Sequence, residues 1–179
     1  MDYTFLSNTL LFCGMNEGEI KKVLQCIGAY TRTYRKGEVV HHAGELVDCF
    51  GLVLSGGITV TNDDLWGNRR FYSYVEPGRS FAELYAFLQG QPTVVRIEAE
   101  EDSEVLMLNA AKLLQPCAKS CACHHKLIEN VLYTFARKSL ALAKRVLNIS
   151  SRSIRGKLLS FLSQEAARNG SRHFTIEYD

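Results

Sequence analysis

The sequence predicts an α+β fold: a small antiparallel β-barrel or sandwich flanked by helices and followed by one long helix. Three observations carry this. Short runs rich in Tyr, Thr, Val and Phe alternate with glycine turns between Tyr30 and Val75. Pro77 to Leu108 reads as turn, short helix, turn and two strands, and from His124 to Ile149 apolar residues recur at helical spacing. With 179 residues, 46% of them hydrophobic, the chain can bury one domain's core and carry an appendage.

Asn16-Glu17-Gly18-Glu19 reads as a helix start with a carboxylate placed to close a capping box, and Ile20, Val23, Leu24 and Ile27 then fall on one helical face. An opening helix pair follows from this. The strands are expected at Tyr30 to Tyr34, Val39 to His42, Cys49 to Leu54, Ile58 to Asn62 and Arg69 to Val75, with turns at Gly37, Gly44, Gly56-Gly57 and Trp66-Gly67-Asn68. Between the turns Pro77-Gly78 and Gln89 to Pro92, Ala82 to Leu88 has room for about two helical turns. An insertion of this kind builds a pocket, and the amide N–H groups opening the helix at Phe81-Ala82-Glu83 would favour a phosphate- or carboxylate-bearing ligand.

A short helix from Asn109 to Leu114 stops at Pro116, and a long one starts near Cys123 or His124. Along it Ile128, Leu132, Phe135, Ser139, Leu142, Val146 and Ile149 alternate four and three apart, the seam of a coiled coil, with Ser139 the one polar member. Tyr133, Ala136, Leu140, Ala143 and Leu147 form a second row. Two apolar faces allow one to cover the barrel and the other to meet a partner, although a long amphipathic helix can also lie wholly on its own core. Asn148 to Ser153 is the expected hinge, where Ser151 or Ser153 caps a further helix carrying Ile154, Leu158, Leu159, Phe161, Leu162 and Ala166 and ending at Asn169-Gly170.

The formal charge of +2 hides an asymmetry. Glu76 to Glu104 holds Glu76, Glu83, Glu98, Glu100, Glu101, Asp102 and Glu104 against Arg79 and Arg96, whereas Arg137 to Arg172 holds nine basic residues against Glu165 alone. Such a division would orient the protein on a polyanion, or simply solvate helix faces. No apolar stretch suits a signal peptide or a membrane helix, so a cytoplasmic protein with reduced thiols is expected.

The residues quoted resemble the cyclic-AMP receptor protein/FNR family of bacterial transcription regulators along essentially the whole chain. Lys36-Gly37-Glu38, Ala43-Gly44-Glu45, Leu54-Ser55-Gly56 and Pro77-Gly78 match the glycine corners of the family's barrel, and Glu83-Leu84 falls where its effector cassette carries a glutamate that holds a ribose hydroxyl. The resemblance implies a jelly roll of the cyclic-nucleotide-binding and cupin-like kind spanning 1–123, a dimerisation helix over 124–149, and the first helix and strand of a winged helix-turn-helix domain over 150–179. The chain stops before the helices that enter the DNA groove. A truncated regulator that senses and dimerises but lacks its own DNA-reading residues is therefore expected.

Two departures bear on the ligand. The arginine and hydroxyl residue that clamp the cyclic phosphate in nucleotide-binding members are Thr93 and Val94 here, and Leu140 to Ala143 gives no hydrogen-bonding side chain to a base. Arg96, two residues along the strand from Val94, is the one nearby guanidinium. Cyclic AMP is thus not the expected effector, and an apolar or haem-like molecule, or contact signalling alone, stays open. Candidate effector contacts are Phe81, Ala82, Glu83, Leu84, Thr93, Val94 and Leu142, and candidate dimer contacts are Ile128, Leu132, Phe135, Ser139, Leu142 and Val146.

Cys117, Cys121, Cys123 and His124 lie close together in sequence and are candidates for a metal, a cluster or thiol redox sensing. They lack the C-x-x-C spacing of structural zinc, which favours simple packing, and no metal is assigned. Cys13, Cys26 and Cys49 read as core residues, and His41-His42, on a strand, face opposite ways. No nucleophile with a base, P-loop or paired carboxylates appears, so a regulator with an unknown small-molecule effector and a homodimeric partner is expected rather than an enzyme. The alternatives are a free-standing ligand- or redox-sensing module acting on a protein partner, and a cupin-like metal enzyme using His41 or His42.

Overall fold

A computed structural model describes residues 1–63, 69–115, 122–149, 153–171, 173 and 175. Helix α1 (Tyr3–Ser7), a 3-10 turn (Leu10–Phe12) and α2 (Glu17–Cys26) open the chain, and the capping box at α2 forms with Asn16 and Glu19 bonded to one another's backbone. Eight strands follow: β1 (Tyr30–Tyr34), β2 (Val39–His41), β3 (Cys49–Ser55), β4 (Ile58–Asp63), β5 (Arg69–Val75), β6 (Ser80–Phe81), β7 (Arg96–Ala99) and β8 (Ser103–Asn109). The helix α3 (Glu83–Phe87) separates β6 from β7, and α4 (Ala110–Leu114), α5 (Ala122–Ile149) and α6 (Ile154–Asn169) come after β8.

The strands form two four-stranded antiparallel sheets, β1-β8-β3-β6 and β2-β7-β4-β5, which make the jelly-roll sandwich that the alternating pattern predicts. Gly37, Gly44, Gly56 and Gly78, the four expected corners, all have positive φ. At Gly56 space as well as φ requires glycine, because a Cβ would sit 2.5 Å from the Asp102 carbonyl.

Strand alternation sends β3 and β8 residues to two cores. Val53, Val105 and Met107 point between the sheets, with Tyr34, Ile58, Val60, Val75, Phe81, Val95 and Ile97. Phe50, Leu52, Leu106 and Leu108 face the opposite way and are equally buried, since the helices cover that side: the rings of Phe50 and Phe87 of α3 stand 5.5 Å apart. Leu6, Phe12, Ile20, Ile27, Leu113 and Leu127 complete the helical core, each contributing about 1.5–3 kcal/mol by burial.

Two compact units divide within α5, Met1–Leu132 and Tyr133–Asp179. In the first unit α5 buries His124, Leu127, Asn130 and Val131. This face belongs to neither apolar row expected to pack, a correction with a plain cause: its anchors include a histidine and an asparagine. Asn130 is the key anchor, its Nδ2 donating to the carbonyls of Leu11 at 3.0 Å and Cys13 at 2.9 Å. In the second unit Ser153 caps α6 through the Gly156 amide, and Gly170 ends it with φ 60°. The turn expected at Trp66 to Asn68, the residues 150–152 of the hinge and most of the strand expected after Gly170 lie outside the described residues.

Candidate functional site

The insertion between β6 and β7 is built by pairing first. Ser80 and Phe81 form β6 because Leu52 and Gly51 of β3 accept them as partners. Gly51 is needed there: a Cβ on it would come 2.3 Å from the Phe81 ring and 2.9 Å from Val105. Phe81 is thus a core residue, buried to 3% exposure.

Ala82 turns the chain into α3 with φ 63°, the one positive-φ residue among those described that is not glycine. That conformation costs an L-residue about 1–2 kcal/mol. It swings Glu83 inward, where the buried carboxylate accepts a hydrogen bond from the Ser80 hydroxyl. Leu84 is left on the exposed side. With only five residues, α3 is too short to gather the dipole that the expected anion site at its start would need.

The return segment is held by backbone geometry. Thr93, 2% exposed, donates its hydroxyl to the His42 carbonyl at 2.7 Å and its N–H to the Glu45 carbonyl at 2.8 Å, while its own carbonyl accepts from the Gly44 amide at 2.7 Å. It therefore braces the loop between β2 and β3. Val94 is exposed, and its carbonyl accepts from Nδ2 of Asn62 at 3.0 Å. Arg96 donates from Nε to Glu98 at 2.7 Å, and Arg69 donates to the other oxygen of Glu98 at 3.0 Å. A phosphate would have to compete with that carboxylate for either guanidinium.

Two buried polar atoms have no hydrogen-bond partner among the described residues, Nε2 of His41 and Oγ1 of Thr61. They lie on the strands either side of β7, His41 opposite Ile97 and Thr61 opposite Arg96. Burial holds the His41 imidazole below its usual pKa, against the opposing pull of Glu45, whose Oε2 is 3.6 Å from Nδ1. Thr61 was not singled out from sequence and His41 only as a metal ligand of the cupin-like alternative, because strand order alone decides that β2 and β4 flank β7. A separate cleft of about 420 Å³ is lined by Thr33, Tyr34, Arg35, Glu38, Ser55, Asp102, Ser103 and Glu104, a predominantly acidic wall unsuited to phosphate. The Glu100 to Asp102 corner is bonded throughout: Glu100 to Thr59, Glu101 to Tyr74 and Asp102 to the Lys36 amide.

On α5 the expected seam is open. Ile128 and Phe135 are half-buried, Ser139 is exposed, and Leu132, Leu142 and Val146 are each more than half exposed, as are Tyr133, Leu140 and Leu147 of the second row. Of the metal candidates, Cys117 and Cys121 lie outside the described residues and Cys123 is half-buried. His124 has both ring nitrogens engaged, Nε2 with the Leu113 carbonyl at 2.5 Å and Nδ1 with Sγ of Cys26 at 3.8 Å. No group of three His, Cys, Asp or Glu able to hold a metal occurs among the described residues. No described helix is long and apolar enough to cross a membrane.

The family model described as cyclic nucleotide-binding domain matches residues 31–120. Among solved structures the fold is similar to a cyclic nucleotide-binding domain from Methylobacillus flagellatus, at 14% identity and TM-score 0.70 over 85% of this chain and 86% of that one. It is similar to the Thermus thermophilus catabolite activator protein, at 24% identity and TM-score 0.65 over 90% and 72%. It is also similar to the sensor domain of the transcriptional regulator DNR from Pseudomonas aeruginosa, at 17% identity and TM-score 0.60 over 84% and 95%. Among curated proteins none matches the chain.

Proposed function

As the chain belongs to the cyclic nucleotide-binding domain family, we propose that it is the sensing and dimerisation region of an effector-responsive transcription regulator of the cyclic-AMP receptor protein/FNR type. In this reading 1–123 senses, 124–149 dimerises and 150–179 opens a winged helix-turn-helix domain that engages DNA in the cytoplasm. The likeness in fold to a catabolite activator protein and to the sensor domain of a transcriptional regulator supports it. The observation that carries it is the uncovered second half of α5, where six large apolar side chains, Leu132, Tyr133, Leu140, Leu142, Val146 and Leu147, are each more than half exposed. A second copy of the same helix buries such a seam symmetrically, with Ile128, Phe135 and Ser139 in the same register.

The effector in this reading is not a cyclic nucleotide. Thr93 and Val94 give no guanidinium, Thr93 already donates its hydroxyl to His42, and Arg96 is bonded to Glu98. The sensing domain instead offers acceptors, the Glu83 carboxylate in the cassette and the unpartnered atoms of His41 on β2 and Thr61 on β4, to a molecule bearing hydroxyl or amine donors. Such a ligand acts by shifting the balance between two packings of paired α5 helices. Neither catalysis nor a resident cofactor is part of this reading.

Native mass spectrometry of the full chain with and without cyclic AMP tests the proposal. A dimer whose mass is unmoved by cyclic AMP is expected. A monomer at micromolar concentration would refute the dimer axis, and a bound nucleotide would refute the effector class.

A further inference from the structure

Cys26 closes α2 and is exposed, where its apolar neighbours in sequence had suggested a core residue. Its sulfur lies 3.8 Å from Nδ1 of His124, in the first turn of α5. The other ring nitrogen fixes what Nδ1 can do. Nε2 stands 2.5 Å from the Leu113 carbonyl, an oxygen that only accepts, so Nε2 carries the proton. In the neutral ring Nδ1 therefore holds the lone pair and faces the thiol. The ring is 6% exposed and held between α2, α4 and α5, so this orientation is set by packing.

Nucleophile, base and a third group that orients the base are the parts of an activated thiol. Leu113 lies in the last turn of α4, where carbonyls lack intrahelical partners, and its oxygen accepts from Nε2 and so orients the ring. Cys49 makes the contrast within the same molecule: burial, followed by the nearby Asp48, pushes its thiol up and away from reactivity.

We propose that Cys26 is a reactive thiol, a site of covalent oxidation by hydroperoxides for which His124 is the base. A hydroperoxide needs only a thiolate and a proton donor, and the pair supplies both without an anion clamp. The Cys26 thiolate attacks one peroxide oxygen, an S–O bond forms and the O–O bond breaks. The departing hydroxide of hydrogen peroxide, or the alkoxide of an alkyl hydroperoxide attacked at its terminal oxygen, takes the His124 proton and leaves as water or the alcohol. The sulfur gives up two electrons and becomes a sulfenic acid, and the peroxide is reduced. Since Cys26 ends α2 and His124 begins α5, the added oxygen lodges where those two helices meet. This goes beyond the regulator reading and does not depend on it.

The test is peptide mass mapping of the reduced full chain treated with hydrogen peroxide and dimedone, with Cys13, also exposed, as internal reference. Adduct at Cys26 is expected to form at least about tenfold faster than at Cys13, and His124→Gln to bring it down to the reference rate. Equal rates at the two cysteines in the wild-type chain, or a lead at Cys26 that survives His124→Gln, would overturn the assignment. Should that variant fail to fold, urea-unfolded wild-type chain decides: the lead is expected to vanish on unfolding, and its persistence would refute a base held in place by the fold.

Discussion

The two halves of α5 have similar apolar content and opposite fates. Up to Val131 the helix hides His124, Leu127, Asn130 and Val131, and beyond it Leu132, Tyr133, Leu140, Leu142, Val146 and Leu147 are exposed. Periodicity reports that a helix has an apolar face. It does not report what covers that face, and here the covered face is the less apolar one, fastened by an amide and an imidazole.

The sharpest way to break the comparison is to charge the open half. Leu132→Glu with Leu142→Glu is expected to weaken self-association by at least about a thousandfold, roughly 4 kcal/mol, with the first unit's fold intact. Sedimentation at graded concentrations measures it, and an unchanged dimer would mean that another surface pairs the chains. Within the covered unit, Phe81→Ala empties the space over Gly51 and should cost about 3–5 kcal/mol in urea unfolding. A cost near that of an exposed residue would refute the core role of Phe81.

Asn130→Leu keeps the volume but strips the donors from two carbonyls, and about 2 kcal/mol of stability should go with them. The same substitution at exposed Asn169 should do far less. Ala82→Gly relieves the left-handed backbone and should stabilise by up to about 1 kcal/mol, less the chain entropy glycine adds to the unfolded state.

The smallest effect is a pH dependence. Burial holds folded His41 below its usual pKa, so on acidification the unfolded chain takes up that proton first. The stability contributed is present above about pH 6.5 and lost as pH falls through the folded value. The drop in melting temperature between about pH 7.5 and about pH 5.5 should be smaller in His41→Gln than in the parent chain.

The strands were legible wherever local signals enclosed them. β1 and β5 run over the residues expected, because glycine, proline and polar turns bound aromatic and β-branched runs on both sides. β6 was missed since two residues carry no pattern, and only the non-local match to Gly51 and Leu52 makes Ser80 and Phe81 a strand. The site divides in the same way. The short helix was readable from the turns, but the brace made by Thr93 depends on a carbonyl fifty-one residues away, and the Cys26–His124 pair spans ninety-eight. Of the three cysteines outside the cluster only Cys49 is core as read; Cys13 and Cys26 are exposed, because their apolar neighbours, not the cysteines, occupy the buried face.

The two carbonyls that Asn130 secures lie 119 and 117 residues before it. A chain emerging from the ribosome can form α2 and pair β4 with β5 early, but the amino-terminal turn must wait for residue 130 before its last polar groups are matched. Closure of the unit is therefore a late event in synthesis, timed by the helix that leaves next.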